Sequence, residues 1–339
     1  MITREMPAGK SSFVRNFCWC AAALFGVLLV LASISADAQS GYPNRPVQLI
    51  ISYGAGSTGD VSMRILTEQL TTKLGQPFVV INKPGAAGIA AAQAAAATVP
   101  DGYTLLLTGN SSTISVALFK SLPYNILTDF AAVSMVANFD MVVLVKAGSP
   151  LKSMADVVAY AKANPGKLNI GTLAPGTTQY LAAELFKIVT GTDVTTVPFR
   201  TSPDMMTALL RGDVDVDFEF FAPMQALLAD HKVTPIATTG KSRADFLPDI
   251  PTVIESGIPN FDVTSWNGIT VPAGTPKPII DTLSRAAIDV LQTPSVQEAG
   301  KRLGMEMRGS TPEQLTARLK SDIAKWTDVV EKAHIPKMD

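Results

Sequence analysis

Residues 47–60 read Val47-Gln48-Leu49-Ile50-Ile51-Ser52-Tyr53-Gly54-Ala55-Gly56-Ser57-Thr58-Gly59-Asp60, and this stretch decides the fold class. The apolar, β-branched run 47–53 reads as a buried strand and the glycines as a tight turn. A helical pattern opens at once, with Val61, Ile65, Leu70 and Leu74 on one face. The same grammar repeats, with apolar runs at 78–82, 103–108, 141–146, 168–172, 194–199, 214–220 and 235–239 and helical patterns between them. Ser153 with Asp156 has capping-box spacing ahead of Val157, Val158 and Ala161, and that helix ends before Pro165-Gly166. The Ala-rich stretch 90–97 follows a strand and a glycine turn and reads as a close-packed helix. Strands alternating with helices imply right-handed βαβ units and parallel sheets covered on both faces, an α/β class. After Pro272 the pattern is helix only: 278–291, 295–303, and a long helix opened by Thr311-Pro312-Glu313-Gln314. Its buried stripe is Leu315, Leu319, Ile323, Trp326 and Val330.

The opening turn, Gly54 to Gly59, is a literal G-x-G-x-x-G, yet a dinucleotide site also needs an acid at the end of the second strand. Here that strand ends Asn82-Lys83. A phosphate loop fails too, because Asp60 and Val61 stand where Lys and Ser/Thr are required. What survives is the physics beneath the motif: a helix N-terminus with free N–H groups and about half a positive charge suits an anion. The candidates are the turns at 54–59, 85–88, 108–112 and 172–179. Each follows a strand, which is where open α/β sheets bind ligands.

The chain has 339 residues, enough for two domains and a large core, with 47% hydrophobic and 17% charged residues. Its net charge of -1 gives no field to gather a polyanion, so nucleic acid is not an expected partner. Residues 1–16 carry Arg4, Lys10 and Arg15, an apolar run spans 17–31, and Ala36-Asp37-Ala38 supplies small residues for cleavage. This reads as a secretory signal peptide, 1–38, since the apolar run is too short to span a bilayer. Its removal takes three basic and two acidic residues, leaving a charge of about −2. It also takes Cys18 and Cys20, so the exported chain has no thiol, and disulfides, cysteine nucleophiles and Cys-type metal sites are excluded. His231 and His334 remain, too far apart for a local metal motif, and His334 lies in a frayed tail that suits no general base. No metal or cofactor is expected. An exported α/β hydrolase using a Ser in a Gly-rich turn is the alternative function; it would want a G-x-S-x-G elbow, which is absent.

The segment Asp213-Val214-Asp215-Val216-Asp217-Phe218-Glu219-Phe220 alternates carboxylates with apolar residues. Carboxylates two apart on a strand are ~7 Å apart, too far for one cation, so the acidic side is expected to face solvent. Glu219 could still point into a cleft. Arg200 reads equally as an anion clamp or a solvated Arg.

A family resemblance rests on Tyr42-Pro43-Asn44-Arg45-Pro46-Val47, the Gly turn with Asp60 behind it, Val80-Ile81-Asn82-Lys83-Pro84-Gly85-Ala86-Ala87-Gly88 and Pro100-Asp101-Gly102-Tyr103-Thr104-Leu105-Leu106. Further motifs are Leu122-Pro123-Tyr124, Ala163-Asn164-Pro165-Gly166-Lys167-Leu168, Gly212-Asp213-Val214-Asp215, Leu247-Pro248-Asp249-Ile250-Pro251-Thr252-Val253, Val271-Pro272-Ala273-Gly274-Thr275-Pro276 and Gly309-Ser310-Thr311-Pro312-Glu313. Over about 42–335 the chain resembles the Bug solute receptors, the periplasmic binding components of tripartite tricarboxylate transporters. The resemblance implies a two-lobed Venus-flytrap of the type II periplasmic-binding-protein kind, closing on a small mono- or dicarboxylate. Because the helices after Pro272 have no strands of their own and must cover the sheet built by 47–108, lobe 1 is expected at 39–142 and 239–339 and lobe 2 at 143–238. Tyr53, Gly54, Ala55, Ser57, Thr58, Ala86, Ala87, Thr108, Asn110 and Ser111 would line the first lobe. Thr172, Thr177, Thr178, Gln179, Arg200 and Glu219 would line the second. The implied partners are the ligand and the membrane subunits of such a transporter, or a sensor kinase, with the receptor a periplasmic monomer. The chain departs from the family at Ser52-Tyr53-Gly54-Ala55-Gly56-Ser57, where Pro-Phe and a Gly-Gly pair are commoner, and at Glu219-Phe220-Phe221, which replaces a more polar stretch.

Overall fold

The computed structural model describes residues 41–85 and 88–339; the expected leader with Cys18 and Cys20, and Ala86 and Ala87, lie outside the described residues. Residues 41–44 carry no helix or strand, and Arg45–Asp339 is one compact body.

The opening stretch forms β1 (Val47–Ile51) and α1 (Thr58–Leu74), followed by β2 (Phe78–Asn82), α2 (Ile89–Ala96), β3 (Thr104–Gly109) and α3 (Asn110–Leu118). β1 pairs in parallel with β2 on one side and β3 on the other. The 17-residue strand β4 (Phe130–Lys146) then carries the chain out of this sheet. Beyond it come α4 (Met154–Ala163), β5 (Asn169–Leu173), α5 (Thr178–Thr190), β6 (Thr195–Phe199), α6 (Ser202–Arg211), β7 (Val216–Phe220), α7 (Phe221–Ala229) and β8 (Val233–Thr238). The chain returns through β9 (Thr264–Pro272), α8 (Lys277–Leu291), α9 (Pro294–Arg302), β10 (Glu306–Met307) and α10 (Pro312–Lys332).

The fold is α/β and two-lobed, but its sheets are mixed, which corrects the expectation of parallel sheets. β9 runs antiparallel to both β3 and β4, and β4 runs antiparallel to β7 and β8, while β5 is parallel to β6 and β7. One strand serves both sheets. From Phe130 to Asp140 β4 pairs with β9, and from Met141 it pairs with β7. Thr239 pins this crossing: its hydroxyl accepts from Met141 N at 2.9 Å and donates to Val263 O at 2.7 Å, and its own N–H donates to Met141 O at 3.0 Å. Such interlocked strands explain why the whole body is continuous. β10 also corrects the helix-only reading after Pro272, as Glu306 and Met307 pair with Asn138 and Ala137.

Local chemistry sets the helix starts. The side chains of Ser57, Ser153 and Thr311 accept from Asp60 N, Asp156 N and Gln314 N, and at α10 Gln314 returns the bond in a capping box. The stripe on α1 is displaced from the expected one. Leu70 is fully buried as expected, but its buried neighbours are Met63 and Leu66, whereas Val61, Ile65 and Leu74 are half-buried at the edge of the face. The stripe on α10 holds at Leu315, Leu319, Trp326 and Val330, with Ile323 half-buried. The tail is pinned rather than frayed, for Met338 N donates to Leu118 O and Lys120 N to Met338 O. Both bonds tie it to the end of α3.

Candidate functional site

Three helices, α1, α3 and α5, start at the carboxyl ends of the parallel strands β1, β3 and β5. The first N–H groups of each have no acceptor within their own helix. In the first turn Gly54 and Ala55 are exposed and Ser57 and Thr58 half-buried. Ser57 Oγ donates to Gly54 O at 2.8 Å. Behind the turn Asp60, 2% exposed, accepts from Gly56 N, Arg64 Nε and Asn82 Nδ2, each at 2.9 Å. Burial alone would raise the Asp60 pKa, but the Arg64, Gly56 and Asn82 bonds outweigh it and hold the carboxyl below its ordinary range. Asp60→Ala is therefore expected to loosen the turn and cost roughly 1.5–3 kcal/mol, read as a lowered melting temperature. Because its pKa is depressed, the Asp60 contribution is present above about pH 4 and lost as pH falls through the folded value.

Gly59 admits no side chain, since a Cβ there would lie 2.3 Å from the Tyr53 ring. That close approach sets Tyr53, whose hydroxyl shares a 2.9 Å hydrogen bond with Ser111 Oγ. Burial raises the phenol's pKa against the lowering effect of Ser111, so it stays neutral. Thr108 is fully buried, and its hydroxyl finds no partner among the described residues.

After β5, Thr177 caps α5, accepting from Tyr180 N at 3.3 Å and donating to Ala174 O at 2.8 Å. Thr172 is fully buried and spends its hydroxyl on Leu173 O. Gln179 donates to Glu219 Oε1 at 3.0 Å. Thr178, 7% exposed, accepts from Asn110 Nδ2 at 3.1 Å. This bond joins the start of α3, after β3, to the start of α5, after β5. Arg200 is exposed, with no ion pair among the described residues. Ala86 and Ala87 lie outside them.

The acidic row departs from expectation. Asp217 and Glu219 are both fully buried, not solvent-facing. β7 is covered on both faces, with Phe218 packed against Phe186 and Phe261 and the carboxylate side turned toward β5 and α6. Burial, then repulsion from Glu219, pushes Asp217 up to about 8. Burial likewise raises Glu219 despite bonds from Ser202, Phe220 and Gln179. Glu219 has no exposed surface, and its Oε1 accepts from Gln179 Nε2 and Phe220 N. No group of three or more His, Cys, Asp or Glu among the described residues could hold a metal.

Sequence reasoning missed Asn82 and Trp326 as positioning groups. Trp326 Nε1 donates to Asn110 Oδ1 at 3.0 Å across 216 residues of chain, and in the sequence Trp326 signals only its place on an apolar stripe. Two cavities lie elsewhere. One, of about 530 Å³, is lined by Phe130, Lys277 and Glu313 among others; the second, of about 480 Å³, lies beside the β4 crossing around Asn138, Asp140 and Arg318. Neither includes the turn residues above.

A profile of the tripartite tricarboxylate transporter family receptor matches residues 62–335. Protein BugT of Bordetella pertussis is 33% identical over 313 residues, covering 91% of this chain and 96% of that protein. Among solved structures, R. palustris Rpa4515 with adipate is 30% identical at a TM-score of 0.77, covering 88% of this chain and all of that one. MatC from Rhodopseudomonas palustris with bound malate is 29% identical at 0.73, covering 85% and 100%. The periplasmic binding protein BugD is 31% identical at 0.74, covering 88% and 100%.

Proposed function

The chain belongs to the tripartite tricarboxylate transporter receptor family, and from that premise we propose that it captures a small mono- or dicarboxylate between its lobes in the periplasm. The observation that carries this reading is the Asn110–Thr178 bond, which draws two helix N-termini from different lobes to one place. Two such ends attract an anion without a buried salt bridge, whose desolvation can cancel its gain. Relatives solved with adipate and with malate support the ligand class. Lobe 1 would comprise 39–142 and 239–339 and lobe 2 143–238, with the change of sheet at Asp140–Met141 as the hinge. The ligand-lining set would be the turn residues Tyr53, Gly54, Ala55, Ser57, Thr58, Ala86 and Ala87, with Ser111, Thr177 and Thr178. Arg200 would clamp the far end of a dicarboxylate.

Calorimetry over C3–C8 mono- and dicarboxylates is the direct assay. Thr178→Ala is expected to weaken binding by about 0.5–1.5 kcal/mol if its bond is neutral, or about 1.5–3 if it reaches a carboxylate. Loss of dicarboxylates alone in Arg200→Ala would identify the clamp. Tight binding of only neutral or cationic solutes would overturn the proposal. Export would leave a mature chain starting near Gln39, which intact mass of the secreted product checks. The ligand would then be handed to membrane subunits of a transporter or read by a sensor kinase.

A further inference from the structure

From the hydrogen-bond chain Trp326–Asn110–Thr178 we infer that Trp326 and Asn110 are positioning residues that make the Thr178 hydroxyl an obligatory donor to a ligand acceptor, and so set the site's preference for a carboxylate over an amide or ammonium group. The inference rests on the carboxylate-receptor reading above. The polarity of the chain follows from donor and acceptor chemistry, and the preference over an amide from the greater strength of a hydrogen bond to a charged acceptor. An indole N–H can only donate, so the group of Asn110 facing it at 3.0 Å must be the oxygen. The amide nitrogen then faces Thr178 Oγ1 at 3.1 Å and donates to it. No flip of Asn110 is compatible with both partners, so the usual ambiguity of an asparagine amide is removed.

Thr178 Oγ1 is thereby an acceptor toward Asn110, and its single proton must go elsewhere. Among the described residues no acceptor takes it. Asn110, Thr178 and Trp326 are 1%, 7% and 1% exposed, so water competes poorly for the first two bonds. Each bond polarises the next and strengthens the last donor. Trp326 itself is held between α3 and α5, in one apolar cluster with Ile114, Leu118 and Leu181. The C-terminal helix thus fixes the polarity of a ligand contact in the other lobe.

A double-mutant cycle tests this, with adipate and its diamide as probes. Thr178→Val is expected to lower adipate affinity about tenfold and narrow the acid-over-diamide ratio about threefold, because the diamide carbonyl also accepts from the hydroxyl but as a neutral, weaker acceptor. Trp326→Phe, which touches no ligand, is expected to lose several-fold in adipate affinity, because Asn110 can then turn its oxygen to Thr178 and take the proton. In Trp326→Phe/Thr178→Val the loss should match that of Thr178→Val alone. Thr178→Ser, which keeps the hydroxyl, should recover most of it. A merely structural Trp326 would lower the melting temperature and leave the acid-over-diamide ratio untouched, and that result, or losses that simply multiply in the double variant, would overturn the inference. The indole N–H resonance of Trp326 supplies a readout independent of ligand. It should shift in Thr178→Val if the chain exists and stay fixed if it does not. Should no acid bind the wild-type chain, the receptor reading and the donor role fall together, while a shifted resonance would show the hydrogen-bond chain still standing.

Discussion

Replacing Asp217 with asparagine is expected to raise the melting temperature near pH 8 and flatten its dependence on pH. The wild-type carboxyl is fully buried, both its oxygens lack partners among the described residues, and burial together with Glu219 pushes its pKa to about 8. Unfolded, the same group releases its proton at an ordinary value of 3.8. Between those limits the folded chain holds a proton that the unfolded chain has lost, so stability falls as pH rises through that window. At roughly 1.4 kcal/mol per unit, the full loss approaches 5–6 kcal/mol as an upper limit. Asparagine has the shape of the protonated acid and no charge to bury, so the variant should recover a few kcal/mol at the alkaline end and little in acid. Thermal melts from about pH 5 to pH 9 decide it. A wild-type protein as stable at the alkaline end as at pH 5, or an asparagine variant with the same slope, would show that Asp217 is charged and hydrated after all.

The second large effect is Gly109→Ala. A Cβ at this position would stand 2.5 Å from the backbone oxygen of Trp266 and 3.1 Å from Asn267 Oδ1. Backbone cannot swing aside as a flexible side chain can, so β3 must separate from β9 where Gly109 pairs with Asn267. Overpacking of this kind typically costs about 1–3 kcal/mol. The next residue is Asn110, so the displacement should carry into its bonds with Trp326 and Thr178 and weaken ligand binding as well. Gly54→Ala is the control, since nothing lies within 4 Å of its added Cβ and the site is exposed. It should change stability by no more than about 0.5 kcal/mol. Equal melting temperatures for the two variants would disprove the close approach of β9.

Much of the fold can be read from residues that act over a few positions. Ser57, Ser153 and Thr311 mark helix starts because each side chain caps an amide three residues on. Pro165-Gly166 ends α4 for equally local reasons. The ordered motifs from residue 42 onward add the family, and with it the two-lobed architecture. The strands that cross between lobes are less legible. Residues 130–140 are rich in Ala with no clean alternation, and β9 contains Asn267 and Gly268, both weak strand formers. They are strands because β9 is paired on both sides, with β3 and β4, while residues 130–140 run along β9 and meet β10 at 137–138.

The sequence by itself determined the class, the helix caps and the glycine turns at strand ends. Only the tertiary structure decided that Asp217 and Glu219 face inward, that Arg200 is exposed, and that Trp326 reaches Asn110 and Asn110 reaches Thr178. The reason is physical. A cap or a turn is settled by groups a few bonds apart, so its partners are written next to one another. Burial of a charge and the polarity of a hydrogen bond depend on which distant surface arrives opposite, and that is fixed only when both sheets have closed on the strand they share.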